Sequence, residues 1–331
     1  MKKAYLILLL ITISCNRRMK NNFPVDVKLE SRIKEKKINV THLKPMGKQL
    51  NEAVLFIHGA SFPSELASGF KMNGLSWMDN LANTGYDVFS LDFLGYGKSD
   101  RYDYMLDEIK KNKQIKSGGE EVVQDIDIAV NYILKELNIT KVHLIGHSWG
   151  ATVSGHYATL FPEKVNKLIL FAPFIQRNGS TDWHRTEELY KDLPPSERVE
   201  QFISQIPKGQ DLTFAPEVLG EWKNIWLESD STSKTRSPFS IRYPRAWEID
   251  LYNCWNGNCF FNASKIKNST LLIRGEWDAA FSFEDAERLF AELENTPSKR
   301  YVVIDKSTHV LHLEKNRFAL YNEVILFLKS K

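Results

Sequence analysis

Residues 141–158 read KVHLIGHSWGATVSGHYA, and their order decides the fold. Val142, Leu144 and Ile145 form a short apolar run. Gly146-His147-Ser148-Trp149-Gly150 then makes a G-x-S-x-G pentapeptide, and small residues follow it. With Gly and Ser each near 7% of residues, chance supplies such a pentapeptide in roughly one chain in ten of this length. The weight therefore comes from its flanks. KVHLI predicts a strand and ATVSGHYA a helix, so the glycines fall where a sharp strand-to-helix turn needs close backbone approach. Such a turn lifts Ser148 above the sheet. A serine that merely caps a helix is the plainer alternative, and the strand before it weighs against that reading.

The same alternation extends outward. Residues 53–58 (AVLFIH), 87–92 (DVFSLD) and 165–172 (VNKLILFA) predict strands, the first a continuous apolar run of the kind that is buried on both faces. Residues 75–83 look helical. Residues 120–137 carry Val122, Val123, Ile126, Ala129, Val130, Ile133, Leu134 and Leu137 on one helical stripe. Strand–helix–strand order predicts an α/β fold, a mostly parallel central sheet with helices on both faces. The rhythm breaks over 174–265, which is irregular, rich in Pro, Ser and charge, and holds Trp183, Trp222, Trp226, Trp247 and Trp255. It resumes with a strand at 270–274, a helix at 284–293, a strand near 301–304 and a helix at 315–328. The organisation expected is a core of 39–173 and 266–331 interrupted by an inserted cap, 174–265.

From about Val40 to its C-terminus the chain resembles the α/β-hydrolase family. The Ser148 turn carries the resemblance together with three further motifs in the family's order. His58-Gly59-Ala60-Ser61 looks like the family's oxyanion loop, and Asp92-Phe93-Leu94-Gly95-Tyr96-Gly97-Lys98-Ser99 like its D-x-x-G-x-G-x-S turn. Leu272-Ile273-Arg274-Gly275-Glu276-Trp277-Asp278 looks like the strand and loop that deliver an acid, and Thr308-His309, with Glu314 beyond, like the loop that carries a histidine. The resemblance implies Ser148 as nucleophile, His309 as its general base and Asp278 as the acid that orients the imidazole. The chain order Ser, Asp, His is that of this fold. It further implies the backbone N–H groups of Ala60 and Trp149 as the oxyanion hole, the insertion as a cap over the site, and no metal or organic cofactor.

Several residues compete for these roles. His312 is the rival base, though it sits where the following segment should pack. Glu276 is the rival acid, and Asp250 a weaker one inside the insertion. His147 and His156 flank the turn and are expected to pack or hydrogen-bond beneath it. His58 is expected to be structural, Asp92 a turn-builder, and Ser61 a candidate additional oxyanion donor. Of the cap tryptophans, most are expected in its own core and one or two against substrate.

The N-terminus, MKKAYLILLLITISC, joins two lysines to an apolar stretch too short to span a bilayer. Residues 1–14 read as a signal peptide. Ser14-Cys15 resembles a bacterial lipobox, although Thr12 stands where Leu is usual. This implies lipidation at Cys15 and an exported, lipid-anchored protein at the periplasmic or outer face of a bacterial membrane. Residues 15–38 then read as a basic tether running into an edge strand, or as a collar beside anionic lipid. Cys254 and Cys259 flank an Asn-Gly-Asn turn, consistent with a small disulfide loop or with two free thiols.

Net charge is +3 from 44 basic and 41 acidic residues, which gives no electrostatic reason to expect nucleic acid. No internal stretch approaches a membrane span, and composition excludes fibrous, disordered and disulfide-dense classes. The expected partner is a small-molecule ester or lactone; oligomeric state is not legible. The capped, exported organisation looks similar to serine esterases that open macrolide lactones. Proline iminopeptidases share Trp after the serine but carry an HGGPG loop where this chain has His58-Gly59-Ala60-Ser61-Phe62. Carbon–carbon bond hydrolases share the fold and triad. A silent binding protein on this scaffold is the alternative of another class.

Overall fold

The computed structural model describes residues 23–330 except 108, 110–116, 178, 180 and 183. The signal peptide and Cys15 expected from the sequence, and Trp183, lie outside the described residues. The first half of the chain lays down β1 (Val25–Glu30), β2 (Lys37–Leu43), β3 (Ala53–Ile57), α1 (Trp77–Ala82), β4 (Asp87–Asp92), α2 (Asp103–Leu106), α3 (Gly119–Leu137), β5 (Val142–His147), α4 (Trp149–Leu160) and β6 (Val165–Phe171). The insertion contributes β7 (Tyr190–Leu193), α5 (Pro195–Ile203), α6 (Pro216–Glu228), β8 (Ile241–Pro244) and α7 (Ala246–Trp255). The core then closes with β9 (Ser269–Gly275), α8 (Phe283–Glu292), β10 (Lys299–Ile304) and α9 (Arg317–Lys329).

Eight strands form one sheet in the order β1-β2-β4-β3-β5-β6-β9-β10. β1/β2 and β2/β4 pair antiparallel, and every other neighbour pairs in parallel. Parallel strands need covering on both faces, which is why β3, β4 and β5 are buried at every position. Helix α3 buries Val122, Val123, Ile126, Ala129, Val130 and Ile133, the stripe expected from its spacing, and stops at Asn138 in the left-handed conformation. Helix α1 starts later than its sequence pattern because Ser76 and Asp79 cap it reciprocally.

The sheet begins earlier than expected. β1 lies within the segment read as tether, pairing Val25 with His42 through to Glu30 with Lys37. Its residues are mostly solvent-exposed, as an edge strand's can be, and Val25, Val27 and Leu29 alternate with Asp26, Lys28 and Glu30. In the cap, β7 and β8 form a separate antiparallel ladder. Cys254 and Cys259, at the end of α7, are joined by a disulfide. Among the described residues, no helix is long and apolar enough to cross a membrane.

Candidate active site

Because β5, β9 and β10 are parallel members of one sheet, their C-terminal ends open onto the same edge. Ser148 follows β5, Asp278 follows β9 and His309 follows β10, so the topology alone delivers all three to one place. Ser148 has φ +56° and ψ −128°, a conformation an L-residue holds only when its surroundings insist. They do: its N–H donates to Phe171 O at 2.8 Å, and the turn is squeezed on both sides. A Cβ at Gly146 would lie 2.5 Å from Ala151 Cα, and one at Gly150 would lie 2.1 Å from His58 O. Only glycine lets helix α4 start this close to the loop after β3.

His309 Nε2 stands 2.9 Å from Ser148 Oγ, and its Nδ1 stands 2.9 Å from Asp278 Oδ2. A carboxylate only accepts, so Nδ1 carries the proton and Nε2 is free to accept from the serine hydroxyl. The Asp278 side chain is 0% exposed and the His309 side chain 16%. Asp278 Oδ1 also accepts from the N–H groups of Ala280 and Phe281, at 2.9 and 3.0 Å, which leaves the carboxylate one orientation. The histidine loop is braced by Glu314, whose Oε1 accepts from Thr308 N and Oγ1.

The rivals fall away on geometry. The His312 ring is buried with neither nitrogen hydrogen-bonded, and burial beside His309 pushes its pKa down to about 3. Glu276 accepts from Lys306 N, on the far side of its loop. His147 uses Nε2–H to donate to His309 O at 2.9 Å, and burial next to His312 and His309 keeps it neutral. His58 donates through Nδ1 to Gly59 O and accepts through Nε2 from Phe93 N, a structural bridge between two loops. His156 packs its ring on Phe260. Asp92 accepts from Ser64 N and Oγ and from Lys98 N, as a turn-builder does. Ser61 is buried in the wall of the site.

Two residues of the insertion join the site in ways the sequence did not disclose. Gln205 Oε1 accepts from His309 N at 3.1 Å. Asp250, weighed as a rival acid, instead accepts through Oδ2 from Trp149 Nε1 and from Gly119 N, both at 2.8 Å. Burial pushes its pKa up to about 7, against the two hydrogen bonds and with help from the charges of Glu121 and Glu120.

A cleft of about 420 Å³ opens above Ser148 and His309. Gly59, Ala60 and Ser61 form one wall, and a Cβ at Gly59 would lie 3.2 Å from Ser148 Cβ. The cap supplies Phe202, Trp247 and Trp255, and from the same side Arg198, Gln201 and Gln205. Trp222 and Trp226 are fully buried, Trp222 where the cap meets the core, against Phe62 and Leu66 O. Among the described residues, no group of three or more His, Cys, Asp or Glu converges as a metal site would require.

Residues 52–316 match the family model of the alpha/beta hydrolase fold. The chain belongs to the α/β-hydrolase family. This α/β hydrolase is 26% identical over 243 residues to a proline iminopeptidase of Heyndrickxia coagulans, a match covering 69% of the chain and 76% of that enzyme. It is 30% identical over 120 residues to a 2-hydroxy-6-oxononadienedioate/2-hydroxy-6-oxononatrienedioate hydrolase of Burkholderia vietnamiensis, covering 36% of the chain and 35% of that enzyme. Among solved structures it is similar to a thermophilic esterase from Thermogutta terrifontis, with a TM-score of 0.62 at 16% identity, over 92% of this chain and 98% of that one. The likeness to the esterase is one of fold. The family hosts several chemistries on one scaffold, so the reaction has to be argued from the site.

Proposed function

We propose that this α/β hydrolase is a serine hydrolase that cleaves a carboxylic ester or lactone through an acyl-enzyme. The observation that carries the reading is the continuous chain Ser148 Oγ–His309–Asp278, with both contacts at 2.9 Å, on a turn held at positive φ. Ser148 Oγ attacks the carbonyl carbon as its proton passes to His309 Nε2. The C–O bond to the alcohol breaks as that proton is returned to the leaving oxygen. Water, deprotonated by the same imidazole, then releases the acid and restores the serine. Asp278 holds the tautomer and stabilises the imidazolium. The N–H groups of Ala60 and Trp149 would bind the oxyanion. Trp149 opens α4, where the first N–H groups have no carbonyl four residues back, and losing one such donor typically costs about 3 kcal/mol.

A peptidase of the proline iminopeptidase kind is the second reading, favoured by the match over three quarters of that enzyme. A loop of His58-Gly59-Ala60-Ser61-Phe62 in place of HGGPG counts against it. A macrocyclic lactone is the narrower substrate proposal, supported by the aromatic wall of Trp247, Trp255 and Phe202. Lys2, Lys3, the apolar run to Ser14 and Cys15 support export with a lipid anchor on the cysteine.

The test is a fluorophosphonate probe on the purified protein and on Ser148→Ala, read by intact mass. One adduct on the wild type and none on the variant is expected. No adduct on the folded wild type would sink the serine hydrolase reading.

A further inference from the structure

The cap holds six arginines, and four of them have a carboxylate partner. Arg242 grips Asp192, Arg236 grips Asp230, Arg245 lies between Glu188 and Glu248, and Arg177, at the cap's margin, grips Asp285. Arg185, which is exposed, pairs with no carboxylate among the described residues, and neither does half-buried Arg198. Among the described residues the one side-chain hydrogen bond of Arg198 runs from Nη2 to Tyr243 Oη at 3.2 Å, and its Nε is buried without a partner. Burial pushes the Tyr243 phenol above its ordinary pKa, so that partner is neutral and offers no counter-charge.

Arg198 is also one of the residues lining the cleft above Ser148. Among the described residues it is the one Lys, Arg, Asp or Glu of that lining, and the cap residues beside it are apolar or amide-bearing. Positions 198, 201 and 205 recur at helical spacing, so one face of α5 and its continuation presents Arg198, Gln201 and Gln205. Gln205 is engaged with His309, and Gln201 lines the same cleft one helical turn from Arg198. A half-buried cation without a counter-ion is unfavourable in the empty protein, and a bound anion relieves it.

We infer that the substrate opened by Ser148 carries a second, anionic group, a carboxylate, which Arg198 holds while the ester lies against His309. The inference rests on the reading of Ser148 as nucleophile. A guanidinium fork matches a carboxylate's two oxygens. One uncompensated positive charge, with an amide nearby, suits one negative charge better than the two of a phosphate monoester. The carboxylate takes no part in bond making; it is bound, and it fixes which carbonyl meets the serine. The same charge counts against esters with a basic amine at that end.

The experiment compares two substrates of equal acyl length, p-nitrophenyl valerate and the p-nitrophenyl monoester of glutaric acid, on wild type, Arg198→Met and Arg198→Lys. The wild type should favour the anionic ester by about tenfold or more in kcat/KM, chiefly through KM. In Arg198→Met that ratio should fall about tenfold, to near one, and Arg198→Lys should keep part of it, as expected for a charge-assisted hydrogen bond. A ratio near one in the wild type, unchanged in both variants, overturns the anion site and leaves Ser148 as nucleophile untouched. If neither ester is cleaved and the fluorophosphonate leaves Ser148 unlabelled, the nucleophile reading fails. The anion site is then decided by calorimetric titration with monomethyl glutarate. Binding by the wild type that is lost in Arg198→Met upholds it, and no binding to the wild type refutes it.

Discussion

Asp250 is a carboxyl on the cap that holds Trp149, the residue following Ser148. Oδ2 accepts from Trp149 Nε1 and from Gly119 N, both at 2.8 Å, while Oδ1 lies against Gly118 on the same side as Glu121 Oε2. Burial is the largest influence and raises its pKa from 3.8 to about 7. Asp250→Asn keeps an oxygen to accept both bonds and removes the ionisation. The unfolded wild type releases this proton near pH 3.8 and the folded one near pH 7, so the folded protein binds the extra proton between them. The resulting stability is fully present below pH 3.8 and is lost as pH rises to about 7. At about 1.36 kcal/mol per pH unit the whole window is worth at most about 4 kcal/mol, and about 2 kcal/mol of it lies between pH 5.5 and 8.

Asp250→Asn has no such loss, so its stability relative to wild type should improve by about 2 kcal/mol between pH 5.5 and 8. With about 2 cal/mol/K of unfolding entropy per residue, a chain of this size shifts its Tm by about 3 °C for that change. The assay is thermal unfolding by circular dichroism at both pH values, wild type beside variant, so that every other titrating group cancels. A variant-minus-wild-type Tm that is the same at pH 5.5 and pH 8, or lower at pH 8, would refute a buried Asp250 ionising against Glu120 and Glu121.

Three further substitutions test other parts of the site. Gly150→Ala places a Cβ 2.1 Å from His58 O and 2.7 Å from Ile57 O, both backbone atoms that cannot swing aside; a stability loss of about 3 kcal/mol in urea titration is expected, and an unchanged midpoint would mean the turn is looser than drawn. Gln205→Leu leaves His309 N without its acceptor, so kcat on p-nitrophenyl valerate should fall about tenfold, in line with the cost of an unmade buried hydrogen bond; an unchanged kcat would show that Glu314 alone braces the loop. Trp222→Ala removes a fully buried indole packed on Phe62, Phe202 and Trp226 and bonded to Leu66 O; it should cost about 3–5 kcal/mol by urea denaturation, and a loss under about 1 kcal/mol would mean the cap does not share the core's cooperativity.

What could be read from the sequence follows from how far each signal reaches along the chain. β3, β4, β5 and β9 declare themselves because a parallel strand buried on both faces is a local run of apolar residues. The Ser148, Asp278 and His309 loops were legible because each follows such a strand within a few residues and carries its own motif. β1 has a strand's alternation, Val25, Val27 and Leu29 against Asp26, Lys28 and Glu30, but it lies in a basic stretch whose charge reads as a solvated tether. β7 (YKDL) and β8 (IRYP) hid because four charged or mixed residues make no periodic signal, and their pairing is specified only across the cap. Gln205 and Asp250 reach their partners across 104 and 101 residues. No spacing rule joins an isolated Gln to a histidine N–H, and an isolated Asp invites the wrong role.

Those two contacts bear on what the cap does. Gln205 bonds the backbone of the base, Asp250 bonds the side chain of the oxyanion candidate, and Trp222 Nε1 bonds Leu66 O in the core. From the core side, Arg101 reaches into the cap to the carbonyls of Ser229 and Arg242 at 3.1 Å each. Each such bond contributes about 1 kcal/mol net, and charged or buried ones more. Lifting the cap as a rigid body would break all of them together, at a cost of several kcal/mol, and would release His309 and Trp149 from two of their supports. An open cap is therefore a poor catalyst as well as an unfavourable state. The wall formed by Arg198, Gln201, Trp247 and Trp255 is thus in place over Ser148, and it is the closed cleft, shaped by α5 and α7, that a substrate meets.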